Sequence, residues 1–433
     1  MFWNNWKTET KNTLRVSFSF LLLFFAVLST ESIFHPLVVS YADLGTHNIE
    51  KTDAFTSLAI VYFVSVISAF FVSPIVDLLS PKWAMVIGMT TNFLSQAQLL
   101  YVNKYLMYFT MLILGVGTNL CWIGQGQYIT NNCTDKTREK NTSLQWGFYK
   151  ISLILGGITF FIYFLNTEVQ KEVQSGRINY FVGFMMTLTF LAILNTAFLP
   201  KSTKNVIGQN KKYKELLAEV FGQLKTKRTL LLTTIYMLLG VSRAFWVSIF
   251  PGVVKYSKLV GGNTSQMFAL SMIATGVGQV FGAFLITGLG VRARKIGRNN
   301  IVVFAILAQI LVMILIILSF PDNSVRGDSF ETGLLFSPNI GITLFCSTLL
   351  GFADAVLHTQ VYSYIADFYS EESSSAFSIF RCFCAITTVV LFIVAKYFNL
   401  LVISGLYLFM TLLAMISVFF IKPNPDSPLS LQA

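Results

Sequence analysis

Charge is what this chain of 433 residues has little of: Asp, Glu, Lys and Arg together make up 12%, about half the share found in a soluble domain. That shortage excludes an ordinary solvated surface. Histidine is scarcer still. His35, His47 and His358 are scattered, with no spacing that would hold a metal or set a base beside a nucleophile. The five cysteines show neither metal nor disulfide spacing. Cys121, Cys346, Cys382 and Cys384 fall inside apolar runs, where a small filler is the plain reading. No enzyme, cofactor or metal is expected.

What is there is apolar. The chain is 54% hydrophobic and 15% aromatic, with a mean hydropathy of +0.65. Apolar windows long enough to cross a bilayer recur between polar breaks. They cover Leu14 to Val39, Asp53 to Val76, Lys82 to Val102, Tyr105 to Ile129, Ser143 to Leu165, Ile178 to Leu199, Thr229 to Val253, Ser265 to Leu289, Asn300 to Phe320, Ile340 to Ala366, Ser373 to Tyr397 and Leu400 to Ile421. This predicts an all-α, multi-pass membrane protein of twelve spans. The first run extends too far for a secretory signal and has no small-residue cleavage site before Glu31, so it reads as a retained helix.

A formal net charge of +11 would suggest nucleic acid in a soluble protein, but in a membrane protein the sidedness of the charge matters more. With the N-terminus inside, most Lys and Arg fall on the inner segments, and the loop after the sixth run carries Lys201, Lys204, Lys211, Lys212, Lys214, Lys225, Lys227 and Arg228. Both termini are therefore expected in the cytoplasm, and no nucleic-acid partner is expected. The sequon at Asn263 falls on an outer loop and is the candidate glycosylation site, whereas those at Asn132 and Asn141 fall inside. Plasma membrane and endomembrane are not distinguished.

The basic loop suggests a division: 1–13 as a cytoplasmic N-terminus, 14–199 as one six-helix bundle, 200–228 as a linker, 229–421 as a second bundle and 422–433 as a tail. The two halves repeat. The fourth run, 114-LGVGTNLCWIGQGQYIT-130, aligns without gaps to 350-LGFADAVLHTQVYSYIA-366 of the tenth, and 148-FYK-150 corresponds to 379-IFR-381. The loops after the second and eighth runs also pair, from Ser73 through Asp77 and Ser80 to Lys82, and from Gly290 through Arg294 and Gly297 to Arg298. Both resemble the G-x-x-x-D-x-x-G-R loop of the major facilitator superfamily, transporters built from two parallel six-helix repeats. Serines replace both glycines of the first copy and Arg294 replaces the acid of the second. This altered gate puts ordinary alternating access in doubt.

On the run that carries WIGQGQY, Gly115, Gly117, Gly124 and Gly126 let a neighbouring helix approach, and Gln125 and Gln127 can hydrogen-bond across such a contact. The Gly-x-Gly pairs lack the strand that a dinucleotide fingerprint requires. W-x-G-Q-G-x-Y, formed by Trp122, Gly124, Gln125, Gly126 and Tyr128 and followed by 146-WGF-148, resembles the signature of the Unc-ninety-three-like family, the ion-channel-regulatory branch of the superfamily. The stretch 350–381 resembles that family's tenth and eleventh helices. The resemblance runs from about Leu14 to Lys422 and is closest to the major-facilitator domain-containing Unc-like subgroup. It implies twelve helices in two pseudo-symmetric halves. It also implies a role as an accessory subunit of a potassium channel or a trafficking partner of a receptor.

Ionisable groups inside a bilayer cost about 2.5 to 3.5 kcal/mol each on insertion scales, so each needs a partner or a wet cavity. The candidates are Glu31, Lys150, Arg243, Asp354, His358 and Arg381. By helical rise, Glu31 and Arg243 lie at similar depth on the first and seventh runs, about 21 to 24 Å in, and could pair across a central cavity. Asp354, His358 and Gln360 lie on successive turns, with Asp354 and His358 at i,i+4 spacing on one face, and could relay protons or make an inert polar contact with Arg381 or Lys150. Lys150 and Arg381 could snorkel or hold an anionic solute. Two functions stay open: binding another membrane protein, or secondary transport of a small solute, with proton coupling as one form. The first could use aromatic lipid faces such as Phe18, Phe20, Phe24 and Phe25, and 211-KKYKELLAEVFGQL-224 is amphipathic enough to lie on anionic lipid.

Overall fold

The computed structural model describes residues 7–45, 48–50, 52–134, 136–163, 176–201, 211–261 and 264–421. Their regular structure is helical apart from one isolated bridge between Ser257 and Ser329. In chain order the helices are α1 (Thr8–Asp43), α2 (Asp53–Leu79), α3 (Pro81–Ala97), α4 (Lys104–Asn131), α5 (Arg138–Tyr163), α6 (Ile178–Ala197) and the short α7 (Tyr213–Leu224). Then come α8 (Lys227–Ala244), which passes through a π-helical turn at Phe245–Ile249 into α9 (Phe250–Tyr256), α10 (Thr264–Leu289) and α11 (Val291–Ile296). The last four are α12 (Arg298–Ser319), α13 (Ile340–Phe368), α14 (Ser373–Tyr397) and α15 (Leu400–Phe420).

Each apolar run read from the sequence falls largely on a helix where it is described, and among the described residues 10 helical segments are long and apolar enough to cross a bilayer. The chain is an integral, multi-pass membrane protein. α3 and α5 are not among the 10, so the third and fifth crossings rest on sequence alone. Side-chain caps fix where several helices begin. Asn103 accepts from the Tyr105 and Leu106 amides to start α4, Asn339 from Ile342 to start α13, and Asn399 from Val402 to start α15. Such a cap satisfies amide donors that the helix itself leaves open.

The chain divides into two compact units, one of 1–132 with 148–220 and the other of 133–147 with 221–433. In the first, α4 packs on α2 and α3, and α6 on α1 and α3. The contact is backbone to backbone: a Cβ added at Gly88 of α3 would lie 2.5 Å from the Gly117 carbonyl oxygen of α4. In the second, α10 packs on α13, α14 and α15 on α8, and α12 on α13 and α15. A Cβ at Gly278 would lie 1.9 Å from the Thr348 carbonyl oxygen. Small residues at such crossings substitute for the hydrophobic drive that lipid removes.

The paired loops share a turn that the sequence comparison had only aligned. Ser80, between α2 and α3, has φ 75° and ψ 149°, and Gly297, between α11 and α12, has φ 90° and ψ 133°. The second small position of the motif is thus a positive-φ hinge in both copies, and in the first copy a serine bears it.

Candidate functional site

Three groups of polar side chains stand out, each within one unit. The first centres on Arg298, the basic residue of the second gate loop. Its Nη1 donates to Asp367 Oδ2 at 2.9 Å and its Nη2 to Glu139 Oε1 at 2.8 Å. Arg138 donates to the other Asp367 oxygen at 2.8 Å. Two arginines and two acids therefore form a chain around the starts of α5 and α12 and the end of α13, all largely buried. The Arg298 guanidinium also lies 5.1 Å from the centre of the Tyr364 ring, and the Tyr364 hydroxyl donates to Asn299 Oδ1 at 2.6 Å. The sequence reading named only Arg298 here. Arg138, Glu139 and Asp367 carry no motif that marks them in the sequence, and only Asp367 directly borders an apolar run.

The second group surrounds Asp354, fully buried on α13. Ser242 Oγ of α8 donates to Oδ1 at 3.3 Å and Gln279 Nε2 of α10 to Oδ2 at 3.1 Å. His358 Nδ1 lies 3.0 Å from the Asp354 carbonyl oxygen and 3.4 Å from Oδ1. The carbonyl can only accept, so Nδ1 carries the proton. The ring of Trp146 packs 4.5 Å from that of His358. Arg243 and Arg381, both half-buried, and Asp354 all act electrostatically on Cys384, which places the three charges around one point. Ser242 and Arg243 immediately precede the π-helical turn, a local widening that recurs at functional sites. Gln360 is buried beside Thr359, with Oε1 unpaired. Ser242 and Gln279 have no mark in the sequence because neither is ionisable, and Trp146 is marked there only as part of 146-WGF-148.

The third group is WIGQGQY on α4, buried throughout. The Trp122 ring lies 5.4 Å from that of Phe20, 5.0 Å from Phe24 and 5.1 Å from Tyr149. Gly124 faces the start of α3, where an added Cβ would lie 2.8 Å from the Pro81 carbonyl oxygen. Gln125 and Gly126 are buried. Gln127 Nε2 donates to Asp77, tying the signature helix to the acid of the first gate loop, and the Tyr128 hydroxyl donates to the Pro200 carbonyl at 3.0 Å. Lys82 lies over Trp83. Lys150 is buried, its Nζ 5.1 Å from the Tyr149 ring centre. Glu31 is on α1 of the first unit and Arg243 on α8 of the second. Asn263 and the Arg294 side chain lie outside the described residues.

The family model described as "Ion channel regulatory protein UNC-93" matches residues 45–421, a stretch that contains the charged chain, the Asp354 cluster and WIGQGQY. The chain belongs to the UNC-93 family. It is 23% identical over 441 residues to the UNC93-like protein MFSD11 of Xenopus tropicalis, with 95% of each chain covered. It is 22% identical over 417 residues to UNC93-like protein 3 of Arabidopsis thaliana, covering 91% of this chain and 82% of the relative. Among solved structures, the human organic anion transporter MFSD10 (TETRAN) superposes with a TM-score of 0.69 at 13% identity, covering 96% of this chain and 100% of that one. The E. coli fucose:proton symporter FucP gives 0.65 at 12%, covering 94% and 98%. At such identities these likenesses establish the major facilitator fold and nothing about substrate. In this UNC-93 protein, Phe20 and Phe24, which pack against the signature Trp122, lie before the matched stretch.

Proposed function

We propose that this UNC-93 protein is a non-catalytic accessory protein that binds another membrane protein and regulates or traffics it. The match to the ion-channel-regulatory family over 45–421 carries this reading. The altered gate supports it, because a basic residue stands at the acid position of the second loop while Arg298, Glu139, Asp367 and Arg138 are closed on one another. Such a body suits a scaffold better than a rocking carrier. The reading includes twelve crossings in two sets of six, both termini in the cytoplasm, and a channel or receptor subunit as partner. Proximity labelling from a copy tagged at native level tests it. Enrichment of one channel or receptor whose current or traffic changes when Gln125 and Tyr128 are replaced supports the reading, and recovery of generic membrane neighbours alone overturns it.

A second reading, secondary transport of a small solute, is favoured by the fully buried Asp354 with His358 beside it. A carrier can use such a carboxylate to couple protons or bind solute. Solute profiles of cells lacking the chain separate the two readings.

A further inference from the structure

The loop between α12 and α13 displays an apolar surface. Phe330 is 76% exposed, Leu334 68% and Leu335 70%. The loop is nevertheless tied down. The Leu335 and Phe336 amides both donate to the Leu318 carbonyl at 3.0 Å, Lys258 N donates to Ser329 O at 2.9 Å, and Lys258 pairs with Asp328 at 2.9 Å. A segment free to fold its aromatic side chains inward would do so in water, so an ordered one that presents them needs a cover. α12 supplies the context. Phe304, Leu307, Leu311 and Ile314 form an exposed stripe at helical spacing along it, the surface a membrane helix turns to acyl chains. The loop continues that surface at the end of α12 opposite Arg298.

A cavity of about 230 Å³ opens beneath the loop, walled on its apolar side by Ile317, Phe320 and Leu400 and on its polar side by Asp322, Glu331 and Thr332. It is smaller than the ~300 to 1,000 Å³ of sites that enclose a whole ligand, so it takes one end of a molecule whose remainder lies outside. The polar wall selects the charge of that end. Asp322 is already occupied, accepting from the Leu401 amide and from Asn399. The first amides of α15 are thus capped by Asp322 and Asn399 and offer nothing to an anion. The Glu331 carboxylate is exposed and has no side-chain partner among the described residues. An ammonium group with N–H donors can hydrogen-bond to Glu331 and the Thr332 hydroxyl, whereas a quaternary ammonium, which has no N–H, can meet Glu331 only as a charge.

We propose that this cavity binds the headgroup of a phospholipid bearing a primary amine, phosphatidylethanolamine, its acyl chains lying on the exposed face of α12 and the Phe330 to Leu335 surface. The site does not depend on which function the protein serves.

The test is native mass spectrometry of the full chain purified in detergent and titrated with phosphatidylethanolamine, phosphatidylcholine or phosphatidylglycerol. Retention of phosphatidylethanolamine over the other two by about five-fold, the ratio that ~1 kcal/mol gives, is expected, and Glu331→Gln abolishes the preference. Glu331 is at the surface, so the variant folds. Equal retention of all three lipids, or a preference unchanged in Glu331→Gln, overturns the proposal. A photoactivatable phosphatidylethanolamine is expected to label residues 317–334. In cells, a photo-crosslinker placed at Phe330 that captures a protein instead of lipid also overturns it.

Discussion

Arg298 and Asp367 meet at 2.9 Å between Nη1 and Oδ2, joining the start of α12 to the end of α13. Neither residue is spent on the other alone, since Asp367 also takes Arg138 and Arg298 also takes Glu139. Removing one member of such a buried chain leaves uncompensated charge, which costs about 3 to 5 kcal/mol. Asp367→Ala, which takes an acceptor from both guanidinium groups, is expected to lower stability in detergent by that order and more than Glu139→Gln. Thermal unfolding of the purified variants checks this. A wild-type melting point for Asp367→Ala means that the four charges hold nothing together.

Ser80 carries a backbone conformation that its partner Gly297 adopts freely. A side chain in that region costs of order 1 to 3 kcal/mol, against roughly 1 kcal/mol of extra unfolded-state entropy when glycine replaces serine. Ser80→Gly is therefore expected to stabilise the chain modestly, and Gly297→Ala to destabilise it. Paired melting curves decide the matter, and a loss of stability in Ser80→Gly contradicts the strain argument.

The α10 and α13 backbones cross where an added Cβ at Gly351 would come 2.0 Å from the Thr275 carbonyl oxygen. Gly351→Ala must force the helices apart, a cost of typically 1 to 3 kcal/mol or more. At Gly183 of α6 nothing lies within 4 Å, so Gly183→Ala is expected to be neutral or to gain up to about 1 kcal/mol of helix propensity. Equal stability of the two variants argues against close packing at that crossing.

Asp53 stands three residues before the apolar span Thr56–Leu79. Burial pushes its carboxyl up, but the Glu50 amide, the Tyr108 hydroxyl and Lys104 more than offset this and hold it below the ordinary 3.8. A carboxyl depressed by folding contributes stability above the unfolded value and loses it as pH falls through the folded one. The stability gap between wild type and Tyr108→Phe is therefore expected to be full at neutral pH and to close below about pH 4. A gap that stays constant down to pH 3 excludes this linkage.

Much of this was legible in the sequence because lipid imposes a simple code. Backbone groups must be satisfied within each segment, so apolar length marks helices, and the repeat between 114–130 and 350–366 suggests two halves. The run that carries WIGQGQY was readable as a helix with close neighbours at Gly117 and Gly124, where an added Cβ would meet Thr91 and Pro81. The charged chain was less legible. Arg138, Glu139 and Asp367 sit at helix ends, where charge is ordinary, and only folding brings residues more than 200 positions apart into contact. Ser242 and Gln279 were missed for a related reason: neither carries charge, and their part depends on facing Asp354.

Asp354 offers the sharpest separation of the two functional readings. Asp354→Leu removes the acceptor for Ser242 and Gln279, leaving buried donors that cost about 1 to 3 kcal/mol each, so this variant is expected to fail in folding or traffic. Asp354→Asn keeps the volume and one carbonyl acceptor while removing the charge beside His358. It is expected to reach the membrane at wild-type levels. If Asp354→Asn then retains the labelled partner but flattens the pH response of solute uptake, the cluster belongs to a transport function that coexists with partner binding. If uptake and partner capture are both unchanged, Asp354 serves only to join α8, α10 and α13. If Asn fails to reach the membrane as completely as Leu, charge itself is required for the fold.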